Sequence, residues 1–121
     1  MKFIAVFIGG GLGACLRYLL SLLVPKMGSL NFPIATLISN TLSCILLGVF
    51  TYYFIQKSPN NLWQLFLITG LCGGFSTFST FANENLQLIQ KGEYLFFGLN
   101  VLVSIALGLL VIFLLSKKLV S

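Results

Sequence analysis

Four long stretches of this chain contain no acidic residue and consist mainly of apolar side chains. They cover Phe3–Val24, Ile34–Ile55, Leu62–Asn83 and Tyr94–Leu115. A helix of about 20 apolar residues is long enough to cross the hydrocarbon core of a bilayer. We therefore expect an all-α membrane protein with four transmembrane helices, in which residues 1–121 form a single membrane domain.

Charged residues are too few to cover a soluble domain of this size. Of the 121 residues, 58% are hydrophobic and 7% are charged, with seven cations, two acids and no histidine. Soluble domains carry about 25% charged residues. The composition therefore excludes a soluble globule, and the cations form no basic stripe that would bind nucleic acid. Because a nucleophile–base pair is missing without histidine, we do not expect an enzyme.

Short connections join the predicted helices. Because the chain has four spans, both chain ends lie on one side of the membrane. The connections are Pro25–Pro33, Gln56–Asn61 and Glu84–Glu93. Four lysines lie on the side of the chain ends and two on the other side, namely Lys2, Lys57, Lys117 and Lys118 against Lys26 and Lys91. An excess of basic residues sets the orientation of a membrane protein. Since this excess is weak, we predict insertion in both orientations.

The first span contains a sequence, LGAC at residues 12–15, that is similar to a bacterial lipoprotein cleavage box. The apolar run continues past Cys15 to Val24, so we interpret this segment as a membrane span and not as a cleaved signal. Cys44 and Cys72 also lie in apolar spans. We interpret all three cysteines as small core residues.

Gly9, Gly13 and Arg17 follow one another at four-residue steps and so share one face of the first helix. Glycines at this spacing predict close packing against another helix. A cation inside a span is costly and usually faces protein or a water-filled cavity. We expect Arg17 to face water in a vestibule, where it would attract anions.

The second and fourth spans each carry a polar stripe at four-residue steps. In the second span Asn40 is the amide nearest the middle, on the same stripe as Thr36, Cys44 and Gly48. An amide in hydrocarbon needs a partner, so Asn40 either joins two helices or lines a pore. In the fourth span the stripe of Asn100, Ser104 and Gly108 faces either a polar track or another helix.

The third span contains the densest group of small and polar residues, GGFSTFSTF at residues 73–81. Each glycine weakens a helix by about 1 kcal/mol relative to alanine, and hydroxyls satisfy the backbone groups that an interruption frees. We therefore predict a helix that is broken mid-membrane near Gly73 and Gly74. A broken helix offers carbonyl ends for cations and N–H ends for anions. The three-residue spacing of Phe78 and Phe81 by itself favours packing.

Taken together, these segments resemble the Fluc (CrcB) family of small fluoride channels. The first motif, GGGLGACLRY at residues 9–18, is similar to the family's GGxxGAxxRY start. Asn40, within ISNT at residues 38–41, resembles its second-span asparagine, and residues 73–81 resemble its GGxTTFSTF signature. The resemblance extends over all four spans.

The resemblance implies an antiparallel, dual-topology homodimer that exports fluoride passively through two pores, as a multi-pass protein of the bacterial inner membrane. It implies a fluoride path formed by Asn40, Phe78, Phe81, Ser79, Thr80 and Ser104, with Arg17 in the vestibule. It also implies a structural Na⁺ at the dimer centre, held by the backbone carbonyls of Gly73 and Ser76. The implied partners are a second copy of the chain, the lipid bilayer and fluoride.

Two positions depart from the family pattern, and one acidic residue has no assigned role. Ser76 replaces the usual first threonine, although a backbone carbonyl does not depend on the lost methyl group. Ala82 stands where a serine is common, so a hydroxyl contact is in doubt there. Glu84 matches the family's acid beyond the FSTF run, and its role stays open.

Two other functions compete with a fluoride channel. A small multidrug-resistance-type proton/cation antiporter has a similar length and four spans, but it needs a carboxylate in its first span, and Phe3–Val24 contains none. A non-conducting accessory membrane subunit is compatible with the composition. It predicts that purified protein in liposomes passes no fluoride.

Overall fold

The computed structural model describes residues 1–24, 32–55, 57 and 61–120, and these ranges contain helices and no strand. Helix α1 is Lys2–Leu23, and α2 is Ile34–Phe54. Helix α3, residues 62–75, consists of an α-helical turn at Leu62–Gln64, a π-helical stretch at Leu65–Cys72 and a last turn at Gly73–Phe75. Helix α4 is Phe78–Gln90, and α5 is Tyr94–Val120.

Within the described ranges, four helical segments are long and apolar enough to cross a membrane. They are Lys2–Leu23, Ile34–Phe54, Leu62–Gln90 and Tyr94–Lys117, and the third of them contains α3 and α4. The prediction of an all-helical chain with four membrane-spanning helices is thereby confirmed. The predicted connections Pro25–Pro33 and Gln56–Asn61 lie mostly outside the described residues.

The third span is longer than the sequence analysis expected. It continues beyond Asn83 to Gln90, so most of the predicted connection Glu84–Glu93 is helical. The helix ends where Gly92 adopts a φ of 74° and donates its N–H to the carbonyl of Ile89. A left-handed glycine is a common helix terminator. The apolar run thus ends before the helix does, and the glycine marks the end of the helix.

Glycines allow α1 to lie directly against α3. A Cβ atom at Gly9 would overlap the carbonyl oxygen of Phe66, and one at Gly13 would overlap that of Leu71. Two glycines of α3 approach α1 in the same way, namely Gly70 and Gly74. Such backbone contact is typical of helix pairs in membranes, and it confirms the packing role that we predicted for Gly9 and Gly13.

The inside of the subunit is more polar than its outside. Buried polar side chains are Thr36, Ser39, Ser43, Asn85 and Asn100, while the buried apolar ones are Phe54, Cys72, Phe75 and Leu88. Large apolar side chains such as Phe3, Phe7 and Leu95 are exposed along the helices. This is the reverse of a soluble protein and fits a lipid environment. Cys15 is exposed, so its prediction as a core residue was wrong.

Candidate functional site: the interruption between α3 and α4

The third span is interrupted at Ser76 and Thr77. Both residues have extended backbones, with φ of –86° and ψ of 158° at Ser76 and φ of –152° and ψ of 121° at Thr77. Helix α3 therefore ends at Phe75, and α4 begins at Phe78. The predicted break near Gly73 and Gly74 exists, and it lies at the residues just after them, since both glycines are still helical. Glycine lowers helix stability without ending a helix, and the interruption lies where other groups bind the freed backbone.

Asn40 of α2 binds the backbone at the interruption. Its Oδ1 accepts a hydrogen bond from the N–H of Thr77 at 2.8 Å, and its Nδ2 donates to the carbonyl oxygen of Thr77 at 3.3 Å. One side chain thus satisfies both polar backbone groups of an extended residue, which would be costly to leave unpaired in a membrane. Of the two interpretations of Asn40, the structure supports the interhelical bond, and a place along a pore stays a prediction.

Hydroxyls bind two further backbone groups at this point, the N–H of Thr80 and the carbonyl oxygen of Cys72. The Oγ1 of Thr77 accepts from the N–H of Thr80 at 3.2 Å, and so caps α4 at its N-terminus. The Oγ of Ser79 lies 3.4 Å from the same atom. On the other side, the carbonyl oxygen of Cys72 accepts from the Oγ of Ser76 at 3.0 Å and from the Oγ of Ser43 at 2.8 Å. The cap from Thr77 is the role that we predicted for the third-span hydroxyls, whereas the Ser76 hydroxyl bonds back along α3 to a carbonyl that the Ser76 N–H also binds.

Arg17 reaches the end of α3. Its Nε–H donates to the carbonyl oxygen of Gly74 at 3.3 Å, and the side chain is partly buried. A cation is favourable at this end because the last carbonyls of a helix carry partial negative charge. The face that Arg17 shares with Gly9 and Gly13 is therefore the face packed on α3. Its predicted vestibule role is not tested by this contact.

The two helix ends leave backbone groups free at the interruption. Within the described residues, no side chain and no backbone N–H outside the helices donates to the carbonyl oxygens of Gly73, Phe75 or Ser76. The first N–H groups of α4, at Phe78 and Ser79, also lack a described backbone acceptor. Free carbonyls at a helix C-terminus favour cations, and free N–H groups at an N-terminus favour anions.

Two phenylalanines lie on the first turn of α4. The Phe78 side chain is 80% exposed, whereas Phe81 is partly buried. Their ring centroids are 6.2 Å apart, and the rings are inclined by 41°. The hydrogens at the edge of such a ring carry partial positive charge. An exposed aromatic ring beside free N–H groups forms a surface that weakly attracts anions.

The fourth-span stripe faces two helices, with Asn100 against α4 and Gly108 against Cys44 of α2. Asn100 is 1% exposed, and its Nδ2 donates to the Oδ1 of Asn85 at 2.8 Å. Ser104 donates to the Oδ1 of Asn100 at 3.3 Å, and no described hydrogen bond joins it to the interruption. The structure thus places Ser104 in a network between helices and does not bring it together with Asn40 or Thr77. Its predicted place along a fluoride path is untested.

A second polar pair, not predicted from the sequence, joins α2 to α4. The Oγ1 of Thr36 donates to the Oε1 of Glu84 at 2.6 Å. The other carboxylate oxygen, Oε2, is buried and has no partner among the described residues. Thr36 shares the stripe of Asn40, which was the available signal. Glu84 and Asn85 had been placed in a connection, so their inward direction was not predictable.

These features define the chain as a small multi-pass membrane protein in which an interrupted helix exposes both of its ends. Residues 4–115 match the family model described as CrcB-like protein, Camphor Resistance (CrcB). The chain therefore belongs to the CrcB family, and the resemblance stated from its motifs is confirmed.

Curated relatives from distant organisms match most of the chain. A protein of Phocaeicola vulgatus is 48% identical over 105 residues, which cover 87% of each chain. One from Flavobacterium psychrophilum is 44% identical over 106 residues, or 87% of this chain and 86% of the relative. One from Pyrococcus abyssi is 39% identical over 110 residues, which cover 90% of this chain and 88% of the relative. All three relatives bear the name fluoride-specific ion channel FluC.

Proposed function

We propose that this protein is a fluoride-selective channel that lets F⁻ leave the cell passively. The observation that carries the proposal is the interruption of the third span, where free N–H groups, hydroxyls and aromatic rings lie together in a chain related to proteins named as fluoride channels. The chemistry required is binding and release of an ion, and no bond is made or broken.

Selectivity for fluoride follows from the type of groups at the interruption. Fluoride is small and strongly hydrated, so a path must replace its water with closely spaced donors. At the interruption Asn40, Ser79 and Thr80 supply amide and hydroxyl donors, and Phe78 and Phe81 supply ring edges, while Ser104 would supply a hydroxyl from α5 elsewhere along the path. These groups bind an anion without a full positive charge, so the ion also leaves, as conduction requires. One Nδ2 hydrogen of Asn40 is not used by its bond to Thr77.

The working unit that we propose is an antiparallel homodimer with two pores. One subunit leaves Phe78 80% exposed and has few buried apolar side chains, which supports a second copy covering the interruption. The weak lysine bias supports insertion in both orientations. We place the dimer in the bacterial inner membrane. Arg17 in this proposal raises the local concentration of anions in the vestibule.

The residues at the interruption also fit a structural sodium ion. The carbonyl oxygens of Gly73 and Ser76 have no described hydrogen-bond donor, and they lie at a helix C-terminus. Half-helix ends of this kind coordinate Na⁺ in membrane proteins. Gly73 is exposed, and a Cβ atom there would meet nothing within 4 Å. We propose that these carbonyls from both subunits hold Na⁺ at the dimer centre. There the positive charge of the ion would offset the partial negative charges of the carbonyl oxygens.

Two alternatives remain as outcomes of the test. A multidrug-type proton/cation antiporter needs an acid in the first span, and α1 carries none over Lys2–Leu23. An accessory subunit would insert and pack without conducting. Both alternatives predict that fluoride stays inside sealed vesicles.

The test is efflux from liposomes that contain the purified protein and are loaded with either KF or KCl. Efflux begins when an ionophore lets K⁺ leave with the anion and so removes the opposing membrane potential. We then expect fast loss of F⁻, measured with a fluoride electrode. Loss of Cl⁻ should be as slow as from protein-free liposomes. A matched sample carries Phe113→Ile, a change on the exposed outer side of α5. Retention of F⁻ by liposomes that contain folded protein would reject the channel.

A further inference from the structure

Attraction of anions does not explain why Arg17 contacts the end of α3. The donor in Arg17 is the Nε–H, which is not one of the terminal nitrogens of the guanidinium group. It donates to the carbonyl oxygen of Gly74, which lies 57 residues later in the sequence. The contact is possible because Gly13 lets α1 lie against the backbone of α3. An arginine that served only as a vestibule charge would not need to place this N–H on a helix terminus.

The last carbonyls of α3 have different partners. The carbonyl oxygen of Cys72 is bound by Ser76 and Ser43, and that of Gly74 is bound by Arg17. The carbonyls of Gly73 and Ser76, the two that we assign to Na⁺, receive no described hydrogen bond. Among these carbonyls, that of Gly74 is the one that receives its bond from a charged side chain.

We propose that Arg17 is a positioning residue that terminates α3 through its Nε–H, and thereby fixes which carbonyls stay free at the interruption. This positioning role acts through the backbone of Gly74 and is separate from the vestibule charge that we propose above. The consequence for fluoride flux rests on the proposed function, whereas the consequence for the backbone does not.

Two substitutions separate the N–H of Arg17 from its charge. In Arg17→Lys a methylene group takes the place of Nε, while the positive charge is kept. In Arg17→Gln an amide nitrogen takes the place of Nε and still donates, while the charge is lost. Lys2→Gln serves as the control, because it removes an exposed cation outside the site.

The first measurement is hydrogen exchange of the peptide that covers residues 73–80, in purified protein in detergent. Loss of a hydrogen bond to a charged group costs about 1.5 kcal/mol or more, or roughly tenfold in the opening equilibrium. We expect exchange about tenfold faster in Arg17→Lys, within about threefold of wild type in Arg17→Gln, and unchanged in Lys2→Gln. This measurement does not depend on conduction.

The second measurement is F⁻ flux against F⁻ concentration in the same variants. We expect Arg17→Lys to lower the maximal flux and Arg17→Gln mainly to raise the half-saturating concentration. Wild-type exchange and flux in Arg17→Lys would overturn the proposal. So would loss of the folded protein in both variants, because Arg17→Gln keeps the donor. If wild-type liposomes pass no F⁻, the proposed function fails, and the exchange result still decides the role of Arg17.

Discussion

The side chain of Asn40 binds both polar backbone groups of Thr77, with a 2.8 Å bond from the N–H to Oδ1 and a 3.3 Å bond from Nδ2 to the carbonyl oxygen. An extended residue in the middle of a helix would otherwise leave these groups without partners in a membrane. Asn40 therefore stabilises the interruption, and its place along a fluoride path stays a prediction.

Asn40→Asp is expected to reduce fluoride flux by at least about tenfold. The carboxylate still accepts from the N–H of Thr77, but it does not donate to the carbonyl oxygen and it repels anions. Asn40→Ala removes both bonds without adding charge, at an expected cost of about 1–3 kcal/mol in the free energy of unfolding. Flux in liposomes and unfolding in detergent distinguish the two effects. A fully active Asn40→Asp protein would contradict a place for Asn40 along the path.

Phe78→Ile and Phe81→Ile are each expected to lower fluoride flux while the dimer still forms. Isoleucine keeps the apolar surface and removes the ring edge that attracts the anion. Flux is measured in liposomes, and the dimer by size-exclusion chromatography. Phe113→Ile, on a 61% exposed side chain of α5, is the matched control. Normal flux in both test variants would remove the aromatic assignment.

Gly9→Ala is expected to destabilise the subunit by about 1–3 kcal/mol, because the added methyl group overlaps the carbonyl oxygen of Phe66. Gly11→Ala is the control in the same helix, since a Cβ atom there meets nothing within 4 Å. It should leave stability equal or raise it by up to about 1 kcal/mol through helix propensity. Unfolding in a denaturing detergent measures both. Equal stability of the two variants would show that α1 and α3 are not in backbone contact.

The buried amides Asn85 and Asn100 are expected to stabilise the contact between α4 and α5. A double-mutant cycle with Asn85→Ala and Asn100→Ala should give a coupling energy of about 0.6 kcal/mol, the average for hydrogen bonds between membrane helices, and at most about 1.7 kcal/mol. The single variants provide their own controls, and fluoride flux is measured alongside stability. Additive losses in the double variant would mean that the 2.8 Å bond contributes nothing to stability.

The number, type and order of the membrane helices were predictable from the sequence. Long apolar runs without acidic residues have few alternatives in a bilayer, because every backbone group must be bonded inside the segment. The small residues at Gly9 and Gly13 also predicted a close contact, since little else fits that spacing. The group of glycines and hydroxyls at residues 73–81 predicted an interruption for the same reason.

The exact place of the interruption was decided only by the tertiary structure. The glycines at 73 and 74 stay helical, and the helix stops two residues later, where Asn40 of another helix bonds to Thr77. Which carbonyls are bound and which are free likewise depends on Arg17 and Ser43, which come from α1 and α2. A local sequence pattern predicts that a helix will break. The residue at which it breaks depends on hydrogen-bond partners that are distant in the sequence.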